Sequence, residues 1–242
     1  PAPDRPAPGS PVPFLDLAAA QAELAPDIEA ALLRVSRSGR YVGGPDCAAF
    51  ETDWARYCGA AHAIGCGNGL DALILALRAC GIGPGDGVVV PAHTFVATWH
   101  AVTALGARPQ PCAVDPDTLV MDPDAAAAAI DPTTRAILPV HLYGNPAPMT
   151  DLVALARAHG LRVVEDAAQA HGTRLDGRPL GAHGDAVAWS FYPAKTLGAL
   201  GDGGAVTTDD ARIAARVRRL GNYGARAKYD AVERGVNSRL DP

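Results

Sequence analysis

The chain has 242 residues, a length that predicts one large domain or two small ones at about 150 residues per domain. Its 21 basic and 26 acidic residues leave a net charge of −5 without a stripe of lysine or arginine, which argues against nucleic acid as a partner. Hydrophobic residues make up 48% of the chain, enough for a large core, yet no apolar run approaches the roughly 20 residues that a membrane helix needs.

The segment 1–13 is rich in proline and has no apolar core, so we predict a flexible leader there. Apolar residues recur at helix or strand spacing along the rest of the chain. The first helix has its apolar pattern over 17–33 and is predicted to end near Ser38, at the glycine stop Gly39. In chain order, the pattern then predicts a helix over 46–57, a strand over 62–65, a helix over 70–80, a strand over 87–90, a helix over 96–105, a strand over 108–114, a helix over 123–130, a strand over 135–140, a helix over 149–159, strands over 161–164, 186–189 and 204–207, and a helix over 209–220.

Short apolar strands that alternate with helices are typical of a mostly parallel sheet with helices on both faces. The fold class that we predict is therefore a three-layer α/β/α domain with a mostly parallel central sheet. Ligands of such sheets lie beyond the carboxyl ends of the strands, which is where we search for chemistry.

Cysteine and histidine spacing gives no support for a metal site or a disulfide framework. The five cysteines form no C-x-x-C pair, and the seven histidines form no H-x-x-x-H pair. We expect reduced thiols in a cytoplasmic protein.

A glycine-rich turn from Gly65 to Gly69 connects a predicted strand to a predicted helix. Backbone N–H groups at such a turn, together with the positive end of the helix dipole, favour a phosphate group. A tight strand-to-helix connection without a ligand explains the glycines equally well. A dinucleotide fingerprint is disfavoured, because Leu70 stands where G-x-G-x-x-G requires its third glycine.

A carboxylate follows directly after a predicted buried strand, in the run from Leu161 to His171. An aspartate at this position, Asp166, can hold a cationic ring nitrogen protonated. A helix cap or an ordinary loop aspartate remains the alternative. His171 either lines the same site or is a hydrogen-bonded structural residue.

The chain contains only two lysines, Lys195 and Lys228. Lys195 follows a predicted strand, sits among aromatic residues and precedes a glycine-rich stretch. We expect a partly desolvated amine with a lowered pKa there, as a Schiff-base nucleophile requires. A solvated loop lysine is the alternative. Pyridoxal 5′-phosphate needs a phosphate cradle, a carboxylate for its ring nitrogen and a Schiff-base lysine together, and this combination is more specific than any of its parts.

These motifs, with the runs 12–17 and 235–242, make the sequence similar to the DegT/StrS-type aminotransferases. That family consists of fold type I enzymes that use pyridoxal 5′-phosphate to aminate keto sugars attached to nucleotides. The resemblance covers nearly the whole chain beyond the leader. It implies that residues 14–242 form the cofactor-binding large domain and that the small C-terminal domain of family members is absent from this chain.

The resemblance also implies roles for single residues. Lys195 would form the Schiff base with the cofactor and then shuttle a proton. Asp166 would pair with the pyridine nitrogen, and Gln169 would contact the phenolic oxygen of the ring. The remaining cofactor contacts implied are phosphate binding by Ser190 and by the backbone of Gly69, Leu70 and Asp71, ring stacking by Phe95, and contact with the neighbouring subunit's cofactor by Asn237.

By the same resemblance, the substrates are an amino acid, L-glutamate in the first place, and a nucleotide-linked keto sugar. The runs 141–144 and 222–229 look most like those of enzymes acting on dTDP-linked 3-keto-6-deoxyhexoses. A homodimer with shared active sites is expected. Three alternatives stay open: a non-catalytic cofactor-binding or regulatory module, a dehydratase using the same cofactor, and a nicotinamide oxidoreductase.

Overall fold

The computed structural model describes residues 11–242, so most of the predicted leader over 1–13 lies outside the described residues. The α-helices of the described range are α1 Leu17–Ser38, α2 Pro45–Cys58, α3 Gly69–Ala79, α4 Val96–Ala104, α5 Pro123–Ala128, α6 Met149–His159 and α7 Ala211–Gly221. The strands are β1 His62–Cys66, β2 Gly87–Pro91, β3 Arg108–Cys112, β4 Thr134–Ile137, β5 Arg162–Asp166, β6 Arg174–Leu175, β7 Arg178–Pro179, β8 Ala186–Ser190, β9 Gly204–Thr208, β10 Ala225–Ala227 and β11 Asp230–Ala231.

Seven strands form one sheet in the order β1-β9-β8-β5-β4-β2-β3. Every pairing from β8 to β3 is parallel, whereas β9 runs antiparallel to both of its neighbours. The short strands form two hairpins, β6–β7 and β10–β11. The predicted architecture, with a mostly parallel sheet between helical layers, is confirmed.

Alternate residues of the strands face the two helical layers, because successive side chains of a strand point to opposite faces. Val88, Leu138 and Val164 belong to a core packed under α3, α4 and α7. Trp189 and Val187 face the opposite layer with α2, and Val163 does so with α5 and α6. Asp166 shares its face with Val164, and Glu165 shares the other face with Val163, so the two adjacent carboxylates at the end of β5 point in opposite directions.

Helix α1 ends at Ser38, where Gly39 adopts the left-handed conformation with φ of 69°, so the predicted glycine stop is confirmed. One feature differs from the sequence prediction: the reversed direction of β9 was not predicted. Its physical reason is that residues 191–203 contain no helix, and a parallel crossover is usually made by one.

Within residues 11–242, no helix combines the length and the apolar character needed to cross a membrane.

Candidate active site

A cavity of about 730 Å³ opens beyond the carboxyl ends of β5 and β8 and at the start of α3. It is the place where the sheet topology predicts a ligand. The lining residues come from five segments of the chain: Asn68, Gly69, Leu70 and Leu73; Thr94, Phe95, Val96, Ala97 and His100; Val140 and Leu142; Asp166, Ala168 and Gln169; and Ser190, Tyr192, Ala194, Lys195 and Asp202.

The start of α3 presents unused hydrogen-bond donors to this cavity. Asn68 caps the helix, because its side-chain oxygen accepts the N–H of Asp71 at 2.8 Å. Within the described residues, no acceptor binds the N–H groups of Gly69 and Leu70. A Cβ at Gly69 would lie 2.6 Å from the Cβ of Ser190. Glycine is therefore required here for the helix start to approach Ser190, and a phosphate fits these donors and the helix dipole.

The carboxylate of Asp166 is held from two sides. Its Oδ2 accepts the hydroxyl of Thr98 at 2.8 Å, and its Oδ1 accepts the N–H of Ala168 at 3.1 Å. Asp166 is the last residue of β5 and only 6% exposed. The structure therefore excludes the alternative that Asp166 is a helix cap or an ordinary loop aspartate.

Burial raises the pKa of Asp166 above its usual range, although the hydroxyl of Thr98, the N–H of Ala168, and the neighbouring His141 and Lys195 lower it. Within the described residues, no cation lies within ion-pair distance of Asp166. A buried carboxylate without a cationic partner is costly. The protonated ring nitrogen of pyridoxal 5′-phosphate is a cation of the kind that this position lacks, so the donor set fits that cofactor.

Lys195 reaches the cavity from a turn that follows β8. Its backbone N–H donates to the carbonyl of Tyr192 at 2.8 Å, and its side chain is half-buried. No hydrogen bond or ion pair engages its amine among residues 11–242. The structure thus brings a free primary amine to the same cavity as Asp166 and Ser190.

Gln169 is oriented by a single backbone contact. Its Oε1 accepts the N–H of Tyr143 at 2.8 Å, which leaves the amide NH₂ as a donor. Tyr143 itself adopts a left-handed backbone with φ of 56°, an uncommon conformation for a residue other than glycine. This arrangement suits a contact with an oxygen of a bound ring.

Phe95 lies at the mouth of the cavity and is 70% exposed. It precedes α4, and no ring of the described residues stacks on it. The structure brings seven of the nine predicted site residues to one cavity: Gly69, Leu70, Phe95, Asp166, Gln169, Ser190 and Lys195.

Two predicted site residues do not line the cavity. The backbone N–H of Asp71 already binds Asn68, and its carboxylate lies near Gly67. Asn237 is exposed and pairs with Asn222 in an isolated antiparallel bridge. The predicted contact of Asn237 with a neighbouring subunit remains a prediction, since the structure contains a single chain.

His171 is a structural residue beside the site. Its Nε2 lies 2.9 Å from the carbonyl of Ser190, and its ring packs among Trp54, Trp189 and Phe191. Burial lowers its pKa. It supports the end of β8 from the layer opposite the cavity.

Sequence reasoning missed Thr98 and Asp202. Thr98 is fully buried and contacts Asp166 directly; the signal was a threonine four residues after Thr94, one helical turn on. Asp202 lines the cavity between glycines, and nothing in its sequence surroundings distinguishes it from a loop aspartate. Among residues 11–242, no group of three or more metal-ligating side chains is clustered.

Residues 22–242 match the sequence profile of the DegT/DnrJ/EryC1/StrS aminotransferase family. The dTDP-3-amino-3,4,6-trideoxy-alpha-D-glucose transaminase of Streptomyces venezuelae is 55% identical over 230 residues, which are 95% of this chain and 61% of that protein. The chain thus spans about six-tenths of the length of this relative.

Solved structures agree with this likeness. The crystal structure of S. venezuelae DesV in complex with a ketimine intermediate has a TM-score of 0.93 and 55% identity, covering 95% of this chain and 62% of that one. The structure of NtdA from Bacillus subtilis with bound cofactor PMP has a TM-score of 0.90 and 35% identity, covering 95% of this chain and 53% of that one.

Proposed function

Since the chain belongs to the DegT/DnrJ/EryC1/StrS aminotransferase family, we propose that it acts in pyridoxal 5′-phosphate-dependent transamination and that residues 14–242 form the cofactor-binding large domain. The observation that carries the proposal is a single cavity whose wall holds a buried carboxylate, a lysine amine and a helix N-terminus. Each of these groups matches a different part of the cofactor.

The phosphate would be held at the start of α3. The free N–H groups of Gly69 and Leu70 would donate to it, the hydroxyl of Ser190 would add a donor, and the helix dipole would stabilise its charge. Phe95 would contact the ring, and the amide NH₂ of Gln169 is available to donate to the phenolic oxygen. Together these residues would orient the cofactor toward Lys195.

Asp166 would pair with the ring nitrogen. The buried carboxylate would gain a cationic partner, and its negative charge would hold the proton on the nitrogen. When bound, the cofactor supplies an aldehyde that reacts with amines and a ring that accepts the electron pair released at Cα.

Lys195 would act as the general acid and base. Its Nζ would take up the proton from Cα of the amino donor and hold it for return to the reacting molecule. A lysine at this position favours transamination over the dehydratase alternative. Leu70 in the glycine-rich turn disfavours the nicotinamide alternative.

The substrates that we propose are L-glutamate as amino donor and a dTDP-linked 3-keto-6-deoxyhexose as acceptor, in the biosynthesis of amino sugars. The support is the 55% identical relative that is named dTDP-3-amino-3,4,6-trideoxy-alpha-D-glucose transaminase. We further propose a cytoplasmic homodimer in which Asn237 approaches the partner's cofactor. Its exposure leaves it accessible to a second subunit.

The two lysines of the chain provide a matched test. The chain and the variants Lys195→Ala and Lys228→Ala are titrated with pyridoxal 5′-phosphate, and the visible absorption band is recorded before and after L-glutamate is added. Lys228 is exposed and lies over the ring of Tyr229, with its Nζ 5.1 Å from the ring centroid. We expect the band in the chain and in Lys228→Ala, its loss in Lys195→Ala, and bleaching by L-glutamate.

Borohydride reduction followed by peptide mass analysis locates the cofactor independently of the spectrum. A reduced adduct on Lys195 supports the proposal, whereas an adduct on Lys228 alone contradicts it. A band that forms but does not bleach would favour a module that holds the cofactor without transferring an amino group. Formation of the amino sugar from the keto-sugar nucleotide tests the second half of the reaction.

A further inference from the structure

Two threonine hydroxyls connect the cavity wall to Asp166: Thr94 precedes α4, and Thr98 lies in its first turn. The Oγ1 of Thr98 lies 2.8 Å from Oδ2 of Asp166, and the Oγ1 of Thr94 lies 2.8 Å from the Oγ1 of Thr98. Thr94 lines the cavity, but Thr98 is fully buried and does not. Thr98 thus contacts Asp166 from the protein interior and does not contact the cavity in which a ligand would lie.

The direction of these hydrogen bonds follows from the chemistry of the groups. An ionised carboxylate only accepts, so Thr98 must donate its single proton to Asp166. The oxygen of Thr98 is then free to accept, and Thr94 is the donor to it. Both hydroxyl dipoles therefore point toward the carboxylate, and hydrogen bonds in such a chain strengthen one another.

Helix α4 holds this pair in place. The indole N–H of Trp99 donates to the carbonyl of Pro91 at the end of β2, over 3.1 Å. The other buried side chains of the helix are apolar, namely Ala101 and Val102. An apolar side chain at position 98 would satisfy packing alone, so the buried hydroxyl of Thr98 is explained by its hydrogen bonds.

We propose that Thr94 and Thr98 form a hydroxyl relay that holds Asp166 as an acceptor facing the cavity, which makes Thr98 a positioning residue for the ring nitrogen of the cofactor. This inference rests on the proposed function, because it assigns a purpose to Asp166 only if a cationic ring lies there. Thr98 would act on the cofactor only through Asp166 and would not contact the cofactor itself.

The relay opposes the effect of burial. Burial raises the pKa of Asp166, and the hydroxyl of Thr98 is the largest of the contributions that lower it again. The other groups facing the carboxylate are the N–H of Ala168, His141 from the segment after β4, and Lys195 from the turn after β8. Removing the hydroxyl therefore raises the pKa of Asp166 further.

Pyridoxamine 5′-phosphate is the probe for the test, because it carries an amine in place of the aldehyde and forms no bond with Lys195. Its dissociation constant is measured by equilibrium dialysis from about pH 5 to about pH 8. The proteins are the chain, Thr98→Val, which removes the hydroxyl at nearly equal volume, Thr98→Ser, which keeps it, and Asp166→Asn. Circular dichroism and urea unfolding check that each variant is folded.

We expect Thr98→Val to bind the probe about tenfold or more weakly near neutral pH, since a hydrogen bond to a charged group is lost. Affinity falls as pH drops through the pKa of Asp166, so this loss moves to higher pH in Thr98→Val, by roughly one unit. Thr98→Ser should retain the profile of the chain. If Thr98→Val does not fold, Thr94→Val should show a smaller shift in the same direction.

Each contrary outcome has a distinct meaning. An unchanged profile in Thr98→Val overturns the relay, and so does a Thr98→Ser variant that behaves like Thr98→Val, because packing and not the hydroxyl would then matter. Unchanged affinity in Asp166→Asn would instead overturn the ring-nitrogen role of Asp166, and the proposed function with it.

Discussion

A buried hydrogen-bonded pair next to Asp166, formed by His141 and Glu165, gives a prediction whose size follows from its contacts. Nε2 of His141 lies 3.0 Å from Oε2 of Glu165, and both side chains are fully buried. Nδ1 of His141 accepts the N–H of Ala147 at 3.0 Å, so Nε2 carries the proton and donates it to Glu165. Oε1 of Glu165 accepts the N–H of Gly184 at 2.6 Å. The pair therefore joins three segments at the end of β5.

Glu165→Leu leaves two buried donors without an acceptor, the Nε2–H of His141 and the N–H of Gly184. Each unsatisfied buried group costs about 1–3 kcal/mol, which predicts a loss of about 2–6 kcal/mol in the free energy of unfolding. His141→Leu likewise leaves the N–H of Ala147 and one side of the Glu165 carboxylate unpaired. The same cost for each unsatisfied group predicts a loss of about 2–6 kcal/mol for this variant as well.

The double variant His141→Leu with Glu165→Leu shows whether the stability losses of the two single variants are coupled or independent. It leaves only the N–H groups of Ala147 and Gly184 unpaired, so we expect it to cost about half of the sum of the single losses. Urea unfolding at constant pH measures all four proteins. The exposed pair of Asp53 and Arg56, with side chains 69% and 74% exposed, serves as the control. Its removal should change stability by no more than the error of the assay.

Strict additivity of the two single losses, within about 0.5 kcal/mol, would refute this reasoning. Single losses no larger than those of the exposed pair would refute it as well, because both groups would then have to be hydrated in the folded protein.

Two further predictions concern the start of α3 and the surface. Gly69→Ala places a Cβ 2.6 Å from that of Ser190. This variant should therefore lose about 1–3 kcal/mol in stability and bind pyridoxamine 5′-phosphate more weakly in equilibrium dialysis. Gly83→Ala is the matched control, because nothing lies within 4 Å of its added Cβ, and it should leave binding unchanged. Hydrogen bonds from Thr133 and Arg108 hold the pKa of Asp131 well below its usual range. The ionised carboxylate therefore stabilises the folded protein at pH values above the ordinary carboxyl pKa. This stabilisation is lost as the pH falls toward the lowered pKa. Asp131→Asn should therefore unfold with a smaller dependence on acid pH than the chain itself, and an equal pH dependence in urea unfolding would contradict this assignment.

The order and type of the main elements could be predicted because their signals are local. Buried strands such as β2 and β8 appear as short apolar runs, and α3 begins where Asn68 caps it and contains a continuous apolar pattern. The family was also identified correctly from its motifs, as the match over residues 22–242 confirms. Each of these signals lies within a few residues of the feature that it predicts.

The features that were missed depend on contacts between distant segments. The direction of β9 is fixed by the connection after β8 and by pairing with β1, whose residues lie more than a hundred positions earlier. Thr98 contacts Asp166 across 68 positions. No periodicity or composition indicates such a pair, because the two residues become neighbours only when α4 packs on the end of β5.

The two carboxylates at the end of β5 show how one strand serves both stability and chemistry. Glu165 points to one layer and is satisfied entirely by groups of the chain, His141 and Gly184. Asp166 points to the other layer, where two donors bind it but no cation within the described residues does. A buried charge that is hydrogen-bonded and yet lacks an opposite charge favours a ligand that brings one. The alternation of a single strand thereby separates a structural carboxylate from one that remains available for a cationic ring.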